Sequence, residues 1–434
     1  MSPMKIKNFE SLAVSPERRK ILEIVEEGFR AIDTHAVAQR SVQRFGKKIV
    51  VGGEEIALQG ETRVFLVSIG KCGLEAAQEI EKTIGDLIYK GVVIDVHEGS
   101  LNHPSIDFFT GDHPFPSDRN VRGTKAIIDM LSETTENDVV ITVISGGGSS
   151  LLCQPENMTC LEEREIVECL FRAGAPIEKV NTVRKHLSLA KGGYLAKHAY
   201  PARVVSLIFS DVPGDAIEFV ASGPTVLDET TVEDAKKTLE EFGVFAGCPF
   251  AEKGLIETPK EKKFFTRVKN IVVASNSIAL DAMKNAAVAR GFPAIIRTKS
   301  FSGHARHVGA GVISDLELSP PETLLLYGGE STVVVKGNGK GGRNQEVALS
   351  ALRFADDRDM VISVASDGID NTEFAGGICD IITKKHAVEK NIDVSEYLNN
   401  NDSFGFFSRT GDYIETGATG SNVSDLILGI RFKK

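Results

Sequence analysis

The chain has 434 residues, of which 42% are hydrophobic and 25% are charged. This length exceeds what a single hydrophobic core usually serves, so we expect an ordinary globular protein with two domains. The formal net charge of −10 and the pI near 5.5 argue against nonspecific binding to nucleic acid or to an anionic membrane, because both need a basic face.

The cysteines and the apolar runs indicate a compartment. The six cysteines are dispersed without a Cys-x-x-Cys pair, which disfavours a zinc knuckle and fits a reducing environment. The N-terminus lacks a signal-peptide pattern, and no apolar run reaches the roughly 18 residues that a membrane span needs. We therefore predict a cytoplasmic protein with neither a nucleic-acid nor a membrane partner.

Six short apolar runs predict strands. They are continuous and rich in Val and Ile, which is typical of strands buried on both faces of a parallel sheet. Each run ends at a Gly, Ser, Asp or Lys. The runs cover residues 64–69, 139–144, 204–209, 271–274, 324–326 and 361–365.

Amphipathic patterns between these runs predict helices. The first spans residues 15–38, with Ser15 as N-cap and Pro16 at the first position. Another begins at Thr159, with Glu162 in capping-box spacing. The others cover residues 74–84, 232–242, 277–290 and 343–352.

The alternation predicts an α/β fold with a larger Rossmann-like three-layer α/β/α domain, a mostly parallel sheet, and a second α/β domain. The charged segment between residues 245 and 269 contains Pro249 and Pro259 and predicts the passage between domains. The predicted domains are 1–245 and 246–404, with a tail at 405–434 that packs back onto the first.

A triple-glycine loop follows the second predicted strand. Backbone N–H groups without neighbouring side chains can form an anion nest, whereas a tight turn would need only one or two glycines. No Gly-Lys-Ser/Thr follows, so the loop is not a Walker A motif. We predict a nucleotide-binding loop that consists of Ser145, Gly146, Gly147, Gly148, Ser149 and Ser150.

A second glycine-rich loop covers residues 337–342 and matches Gly-x-Gly-x-x-Gly. It lies between a β-branched run at 332–335 and the helix pattern that begins at Arg343. Lys340 and Arg343 add positive charge where a helix N-terminus favours an anion. A dinucleotide site is the alternative, but Asp367 lies later than the usual ribose-binding acid. We favour phosphate, with Gly339, Gly341, Gly342 and Asn344 as candidate ligands.

Several charged residues have two interpretations. Lys71 follows the first strand and is either a phosphate or carboxylate clamp or a solvated lysine. Asp211 and Asp367 each follow a Ser at a strand end, with Asp215 and Asp370 shortly after. They are either ligands of Mg²⁺, which takes one or two carboxylates plus phosphate oxygens, or Asx turns.

The basic residues of the 184–193 segment and a group of histidines also leave alternatives. Arg184 and Lys191 are either anion ligands or complements to a helix dipole. His97, His103 and His113 are irregularly spaced in a Pro-containing region, so we interpret them as loop histidines rather than metal ligands.

Taken together, these motifs resemble the second-class glycerate kinases, the glycerate 2-kinase family with a C-terminal MOFRL domain. The resemblance extends from about residue 64 to residue 430 in the family's order. The matching segments are Ile69-Gly70-Lys71, Gly111-Asp112-His113-Pro114, residues 145–151, Asn181-Thr182-Val183-Arg184-Lys185-His186-Leu187-Ser188, Lys191-Gly192-Gly193, Ser210-Asp211-Val212, Gly214-Asp215, Ala221-Ser222-Gly223-Pro224-Thr225, Gly328-Gly329-Glu330 and residues 341–346.

The resemblance implies an active site in the cleft between two α/β domains, with ATP and Mg²⁺ as phosphoryl donor and metal. D-glycerate is the implied acceptor and 2-phosphoglycerate the implied product. The resemblance places the catalytic lysine and arginine at Lys71 and Arg343. Candidate substrate contacts are Arg184, Glu330 and Asp211, while Lys191 joins the nucleotide loops and Asp211 or Asp367 holds Mg²⁺.

Three alternatives stay open. Departures from the family pattern at residues 95–99 and 367–373 leave room for a kinase of a related sugar acid. The Gly-x-Gly-x-x-Gly match is also compatible with an NAD(P)H-dependent hydroxypyruvate reductase. The acid-binding features are also compatible with a sugar-acid sensor that has no catalytic activity. The oligomeric state is also open, with a homodimer among the options.

Overall fold

The computed structural model describes residues 4–212, 214–248 and 250–433. Pro213 of the first Ser-Asp segment and Pro249 of the predicted domain passage lie outside the described residues. The strands are β1 (Val42–Phe45), β2 (Lys48–Val51), β3 (Glu54–Ala57), β4 (Val64–Ile69), β5 (Ile88–Asp95), β6 (Ile106–Thr110), β7 (Val139–Ser145), β8 (Arg203–Phe209), β9 (Val268–Ala274), β10 (Ala294–Phe301), β11 (Leu324–Gly329), β12 (Asp359–Ala365), β13 (Gly376–Cys379), β14 (Tyr413–Ile414) and β15 (Asp425–Arg431).

The α-helices alternate with most of these strands. They are α1 (Phe9–Leu12), α2 (Pro16–Ile32), α3 (Thr34–Ser41), α4 (Gly73–Ile84), α5 (Asp118–Leu131), α6 (Gly148–Leu151), α7 (Cys160–Arg172), α8 (Ile177–Lys185), α9 (Tyr194–Ala199), α10 (Val232–Glu241), α11 (Ala251–Gly254), α12 (Asn276–Ala289), α13 (Ala305–Leu318), α14 (Arg343–Phe354), α15 (Ile381–Glu389), α16 (Val394–Asn399) and α17 (Ser403–Thr410).

The chain forms two compact units. One unit, called here the central unit, runs from Thr34 to Val273 apart from a short excursion near Asp215. The other, the terminal unit, joins the residues up to Asp33 with those from Ala274 onward. Each unit has its own six-stranded sheet, so the prediction of a two-domain α/β protein is confirmed.

The central unit contains a Rossmann-like sheet with the strand order β6-β5-β4-β7-β8-β9. Strand β4 pairs in parallel with both β5 and β7, and the pairs β5–β6 and β7–β8 are also parallel. The first strand of this sheet, β4, therefore lies in its middle, and the later strands are added on both sides of it. This reversal creates a topological switch point between β4 and β7, where ligands of open α/β sheets usually bind.

Every residue of β4 is buried, since helices cover both faces of this sheet. Phe65, Val67 and Ile69 share one core with residues of α5 and α9. Successive strand residues point to opposite faces, and on the other face Ser68 donates a hydrogen bond to the Gly73 carbonyl at the start of α4. The predicted α/β/α layering is confirmed. A separate antiparallel sheet in the order β1-β2-β3 completes the unit.

The sheet of the terminal unit is mixed, with the order β10-β11-β15-β12-β13-β14. Only the pair β10–β11 is parallel among the strand pairs resolved in the described residues. Strand β15 comes from the end of the chain and inserts between β11 and β12. Asp425, its first residue, is thereby brought to the ends of β11 and β12, opposite Gly329 and Ala365.

The predicted domain boundaries differ from the observed units. The central unit extends to Val273, beyond the predicted boundary at residue 245, because β9 completes its sheet. Strand β15, in the predicted tail, pairs inside the terminal unit. The N-terminal segment also belongs there, because the buried Arg18 guanidinium bonds to Asp380 and Asp412.

Individual elements also depart from the sequence prediction. The single helix expected over 15–38 is two helices, α2 and α3, since Asp33 between them has extended ψ. The β-branched run at 332–335 is not a strand and makes one isolated bridge, from Thr332 to His304. Within the described ranges, no helix is long and apolar enough to cross a membrane.

Candidate functional site

The loops after β4 and β7 are joined at the switch point of the central unit. Lys71 donates its backbone N–H to the Gly146 carbonyl at 2.9 Å, and the Ser145 hydroxyl donates to the Ile69 carbonyl at 3.2 Å. The predicted clamp lysine and the predicted nucleotide loop are therefore parts of one structure.

The glycines of this loop make room for three functional side chains. Gly147 has φ of +84°, and a Cβ on it would lie 3.1 Å from Cγ of Lys71 and 3.4 Å from Cδ2 of His113. A Cβ on Gly146 would collide with the carboxylate of Asp211. Lys71, His113 and Asp211 thus converge on backbone that lacks side chains, as an anion-binding loop requires.

The loop hydroxyls hold the loop in place. Ser150 donates to the Pro114 carbonyl at 2.5 Å, and the Ser149 hydroxyl lies 2.9 Å from that of Ser222. Ser222 and the preceding Ala221 both have left-handed backbone, with φ of 60° and 50°. Such strained residues persist only where the surroundings fix them, and they cluster at functional sites. The hydroxyls of Ser149 and Ser150 therefore form hydrogen bonds within the protein that hold the loop in position.

An excess of positive charge surrounds this loop. Arg184 is half-buried at the end of α8, its guanidinium lies 5.5 Å from the ring centre of Phe171, and desolvation lowers its pKa. Among the described residues, neither Arg184 nor Lys71 has a salt-bridge partner. Partial desolvation and the charges of Lys71 and Arg184 lower the pKa of His113. A half-buried guanidinium without a counterion favours binding of an anionic ligand.

Lys191 does not belong to this cluster. Its ammonium group donates to Glu163 at 2.6 Å, and both side chains are at most 2% exposed. Glu163 also accepts a hydrogen bond from Cys153. The predicted nucleotide ligand is therefore half of a buried ion pair that joins the Lys191 segment to α7, which corrects the sequence interpretation.

The second glycine-rich loop differs in the direction of its amides. The N–H groups of five consecutive residues donate to the segment 400–402 at distances between 2.8 and 3.2 Å. The donors are Lys336, Gly337, Asn338, Gly339 and Lys340, and the acceptors are Asn400, Asn401 and Asp402. These amides, including that of Gly339, hold the loop to its own unit, which corrects the expectation that they cradle a phosphate.

The N-terminus of α14 is also occupied. The buried carboxylate of Asp370 accepts the N–H groups of Asn344 at 3.1 Å and Gln345 at 2.9 Å. The Asn344 side chain is used as well, since its Oδ1 accepts from Ser363 at 2.7 Å. Asp370 thus fills the position that the sequence assigned to a phosphate, and Asn344 serves as an internal bond.

Arg343 lies at the first position of α14 and is held by two acids. Its Nε and Nη2 donate to Asp425 at 2.7 and 3.0 Å, and Nη1 donates to Glu330 at 2.6 Å. Although desolvation opposes it, the bonds to Asp425 raise the pKa of Arg343. A guanidinium has five N–H donors, so these bonds leave two for a ligand.

Arg343 borders a cavity of about 640 Å³ within the terminal unit. Gly341, Gly342 and Lys340 line it on the loop side, and Glu330 and Asp367 line it at the ends of β11 and β12. The Lys340 ammonium group lies 4.0 Å from the ring centre of Phe404 and pairs with Glu373. The structure therefore brings the side chains of Glu330, Asp367 and Arg343 to one cavity, whereas the sequence predicted a site made of backbone amides.

The described residues include no group of three or more His, Cys, Asp and Glu side chains arranged to hold a metal ion. A metal that draws most ligands from phosphate and water needs only one or two carboxylates. Asp211, placed against the open backbone of Gly146, fits such a role.

These features define the class of the protein: a two-unit α/β protein with a glycine-rich loop, close to Lys71 and Arg184, at the switch point of a Rossmann-like sheet. Family models match residues 20–253, described as a domain of unknown function (DUF4147), and residues 323–425, described as the MOFRL family.

Whole-chain comparisons identify the family. The chain is 36% identical to the glycerate 2-kinase of Pyrococcus horikoshii, over 94% of this chain and 96% of that protein. It is 39% identical to the D-glycerate 2-kinase of Thermotoga maritima, over 85% and 90%. The crystal structure of Thermotoga maritima glycerate kinase superimposes with a TM-score of 0.85 at 35% identity, covering 96% of this chain and 100% of the other. The chain belongs to the glycerate 2-kinase family with a C-terminal MOFRL domain.

Sequence reasoning missed residues that act through distant partners. Asp425 is 82 residues from Arg343 in sequence, and Asn401 is 65 from Lys336. Neither has a local pattern that identifies it. His113 lies in a loop, as predicted, but its contact with Gly147 could have been suspected only from its place in the Gly-Asp-His-Pro segment.

Proposed function

We propose that the chain is an ATP-dependent kinase that phosphorylates D-glycerate, with 2-phosphoglycerate as the product. The observation that carries this proposal is the pair of cations at the switch-point loop, Lys71 and Arg184, in a member of the glycerate 2-kinase family. Neither cation forms a salt bridge with any residue that the structure describes, which suits a reaction in which both substrates are anions.

Phosphoryl transfer leaves little covalent work for the protein, so positioning and charge stabilisation dominate. We assign the loop of residues 145–150 and Lys71 to the nucleotide phosphates. Arg184 pairs with the acceptor carboxylate, because its planar fork matches a carboxylate in bidentate geometry.

We assign Arg343 to the charge that develops on the transferred phosphoryl group. Asp425 and Glu330 hold its guanidinium rigidly, and the two remaining N–H donors supply preorganised hydrogen bonds. Gly341 and Gly342 line the cavity next to Arg343 and leave room there for a ligand.

Magnesium fits the same scheme. Asp211 would hold it in the central unit, with Asp367 as the second candidate in the terminal unit. When bound, Mg²⁺ supplies positive charge to the phosphate oxygens. The cytoplasm is the compartment we propose, since all six cysteines are free thiols.

The test is incubation with Mg-ATP and D-glycerate, followed by NMR identification of the phosphorylated isomer. We expect 2-phosphoglycerate; formation of no phosphoester would overturn the proposal. A panel of related sugar acids under the same conditions establishes the acceptor, and a single dominant substrate other than glycerate would revise it.

A reductase acting on hydroxypyruvate was the alternative from sequence. It rested on Gly-x-Gly-x-x-Gly between a strand and a helix, but the 332–335 run forms no strand and the loop amides from 336 to 340 are bonded internally. Consumption of NADPH with hydroxypyruvate, followed by absorbance, would restore that alternative.

A further inference from the structure

Two thiols that the proposed mechanism does not use lie in contact on the central unit. The sulfurs of Cys169 and Cys248 are 3.1 Å apart, although 79 positions separate them in sequence. Both are free cysteines. A disulfide has an S–S length of about 2.05 Å, so roughly 1 Å of movement separates this pair from a covalent bond.

We propose that Cys169 and Cys248 form a reversible, oxidant-sensitive disulfide, a modification site whose co-reactant is a small hydroperoxide. The proposal is independent of the kinase assignment. Cytosolic disulfides are usually transient and redox-sensing rather than structural, which agrees with a pair of neighbouring thiols in a chain whose other cysteines are buried.

The surroundings distinguish the two sulfurs. Cys169 is on α7, is partly exposed, and has the Nη2 atom of Arg172 at 3.7 Å. The residue is therefore partly open to solvent, and a positive charge lies beside its sulfur. Cys248 is 2% exposed and packs in the core cluster between α7 and α10. Burial raises the pKa of Cys248 to about 12, which keeps it a protonated thiol.

These differences assign an order to the chemistry. Cys169, after losing its proton, attacks the peroxide and breaks the O–O bond; the sulfur is oxidised to a sulfenic acid and the departing oxygen leaves as water or an alcohol. The Cys248 sulfur then displaces hydroxide from the sulfenic acid, and the Cys248 proton leaves with that hydroxide as water. Two thiols lose two electrons in total, and one peroxide gains them.

The bond would restrain a helix that supports the anion site. Cys169 lies two residues before Phe171, whose ring faces the Arg184 guanidinium. The same helix carries Glu163, the partner of Lys191. A bond to Cys248 would join α7 to the chain that follows α10.

The test uses the full-length protein, reduced, freed of reductant and then treated with hydrogen peroxide. Of the six thiols, we expect six minus two, or four, to remain by thiol titration under denaturing conditions. The intact mass falls by about 2 Da, a peptide pair linking Cys169 and Cys248 appears after digestion, and dithiothreitol restores all thiols.

Matched variants separate this pair from other thiol chemistry. Cys169→Ser should retain all five remaining thiols after the same treatment. Cys248→Ala should lose one thiol, because the sulfenic acid of Cys169 has no thiol to resolve it, and neither variant should form a cross-linked peptide. Cys379→Ser, which removes a buried thiol of the terminal unit, should still lose two. Retention of six thiols in the unmodified protein would overturn the proposal. So would a gain of about 32 Da at Cys169 without cross-linking, or a cross-link between other cysteines.

Discussion

The two glycine-rich loops differ in how their amides are used. The loop at 145–150 leaves space in which Lys71, His113 and Asp211 meet bare backbone. The backbone amides of residues 336–340 bond the loop at 337–342 to the segment 400–402. The helix that follows this loop is capped by Asp370. Glycine density is thus a poor guide to an anion-binding loop, because the amides of residues 336–340 are already bonded within their own unit.

The two units also handle cations differently. Arg184 of the central unit has no salt-bridge partner within the described ranges, whereas Arg343 of the terminal unit is bonded to Asp425 and Glu330. A half-buried arginine without a salt-bridge partner is available to an anionic ligand. One already held by acids offers only its remaining donors, but in a fixed orientation.

The largest expected effect belongs to Arg343. If its two remaining donors stabilise the transferred phosphoryl group, Arg343→Ala should lower kcat on the order of 10³-fold. The measurement is steady-state kinetics with D-glycerate and ATP. Arg353→Ala, on the exposed side of the same helix, is the control and should leave kcat unchanged. A loss below about tenfold would remove Arg343 from this role.

Lys71 should have the next largest effect. Lys71→Met removes the charge beside Gly147 while keeping the length of the side chain, and we expect kcat/KM for ATP to fall roughly 10²-fold. Lys82→Met, on the exposed end of α4, controls for a general loss of surface charge. Unchanged kinetics of Lys71→Met would make Lys71 an ordinary solvated lysine.

Arg184 tests the acceptor side of the same cluster. Arg184→Ala should raise KM for D-glycerate by about 10- to 100-fold, because a charged hydrogen bond to the carboxylate is lost. Lys179, on the same helix, pairs with the surface residue Glu241, and Lys179→Ala is the control. If KM for ATP rises instead, Arg184 contacts the nucleotide.

Asn401 tests the claim that the second loop is structural. Its side chain accepts the N–H groups of Lys336 and Gly337 and donates to Glu346. Asn401→Ala should lower the free energy of unfolding by about 1–3 kcal/mol, since buried groups lose their partners. Chemical denaturation measures this. An unaltered stability combined with weaker ATP binding would show that the loop binds nucleotide after all.

The smallest effect concerns pH and the central unit. Burial lowers the pKa of both His186 and His198 in the folded state. As pH falls below about 6.5, the unfolded chain takes up these protons first, so stability is present above that pH and is lost on acidification. The slope is at most about 1.4 kcal/mol per pH unit for each histidine.

Denaturation at a series of pH values checks this slope. His198→Gln should flatten it, because one fewer proton then distinguishes the folded from the unfolded chain. A slope that His198→Gln leaves unchanged would show that His198 does not contribute.

Much of the fold could be predicted from the sequence. All six apolar runs are strands, and Thr159 with Glu162 forms the expected capping box. These features depend on residues close together in the chain. Strand β15 was missed, although it is as apolar as the others, and its position between β11 and β12 depends on pairing with residues far earlier in sequence.

The site was predicted less completely. Lys71 and the loop at 145–150 meet because parallel strands β4 and β7 end at the same edge of the sheet, a consequence of topology that the pattern indicated. Lys191 also lies in a motif that predicted a ligand contact, but its ion pair with the buried Glu163 makes it an internal residue.

The sequence by itself determined the family, the alternating α/β pattern and the residues available for phosphoryl chemistry, because local periodicity and ordered motifs record them directly. Only the tertiary structure decided which of those residues are available to a ligand. Long-range partners such as Glu163, Asp370, Asn401 and Asp425 settle that question. Their effect depends on distance and burial, which a linear pattern does not contain.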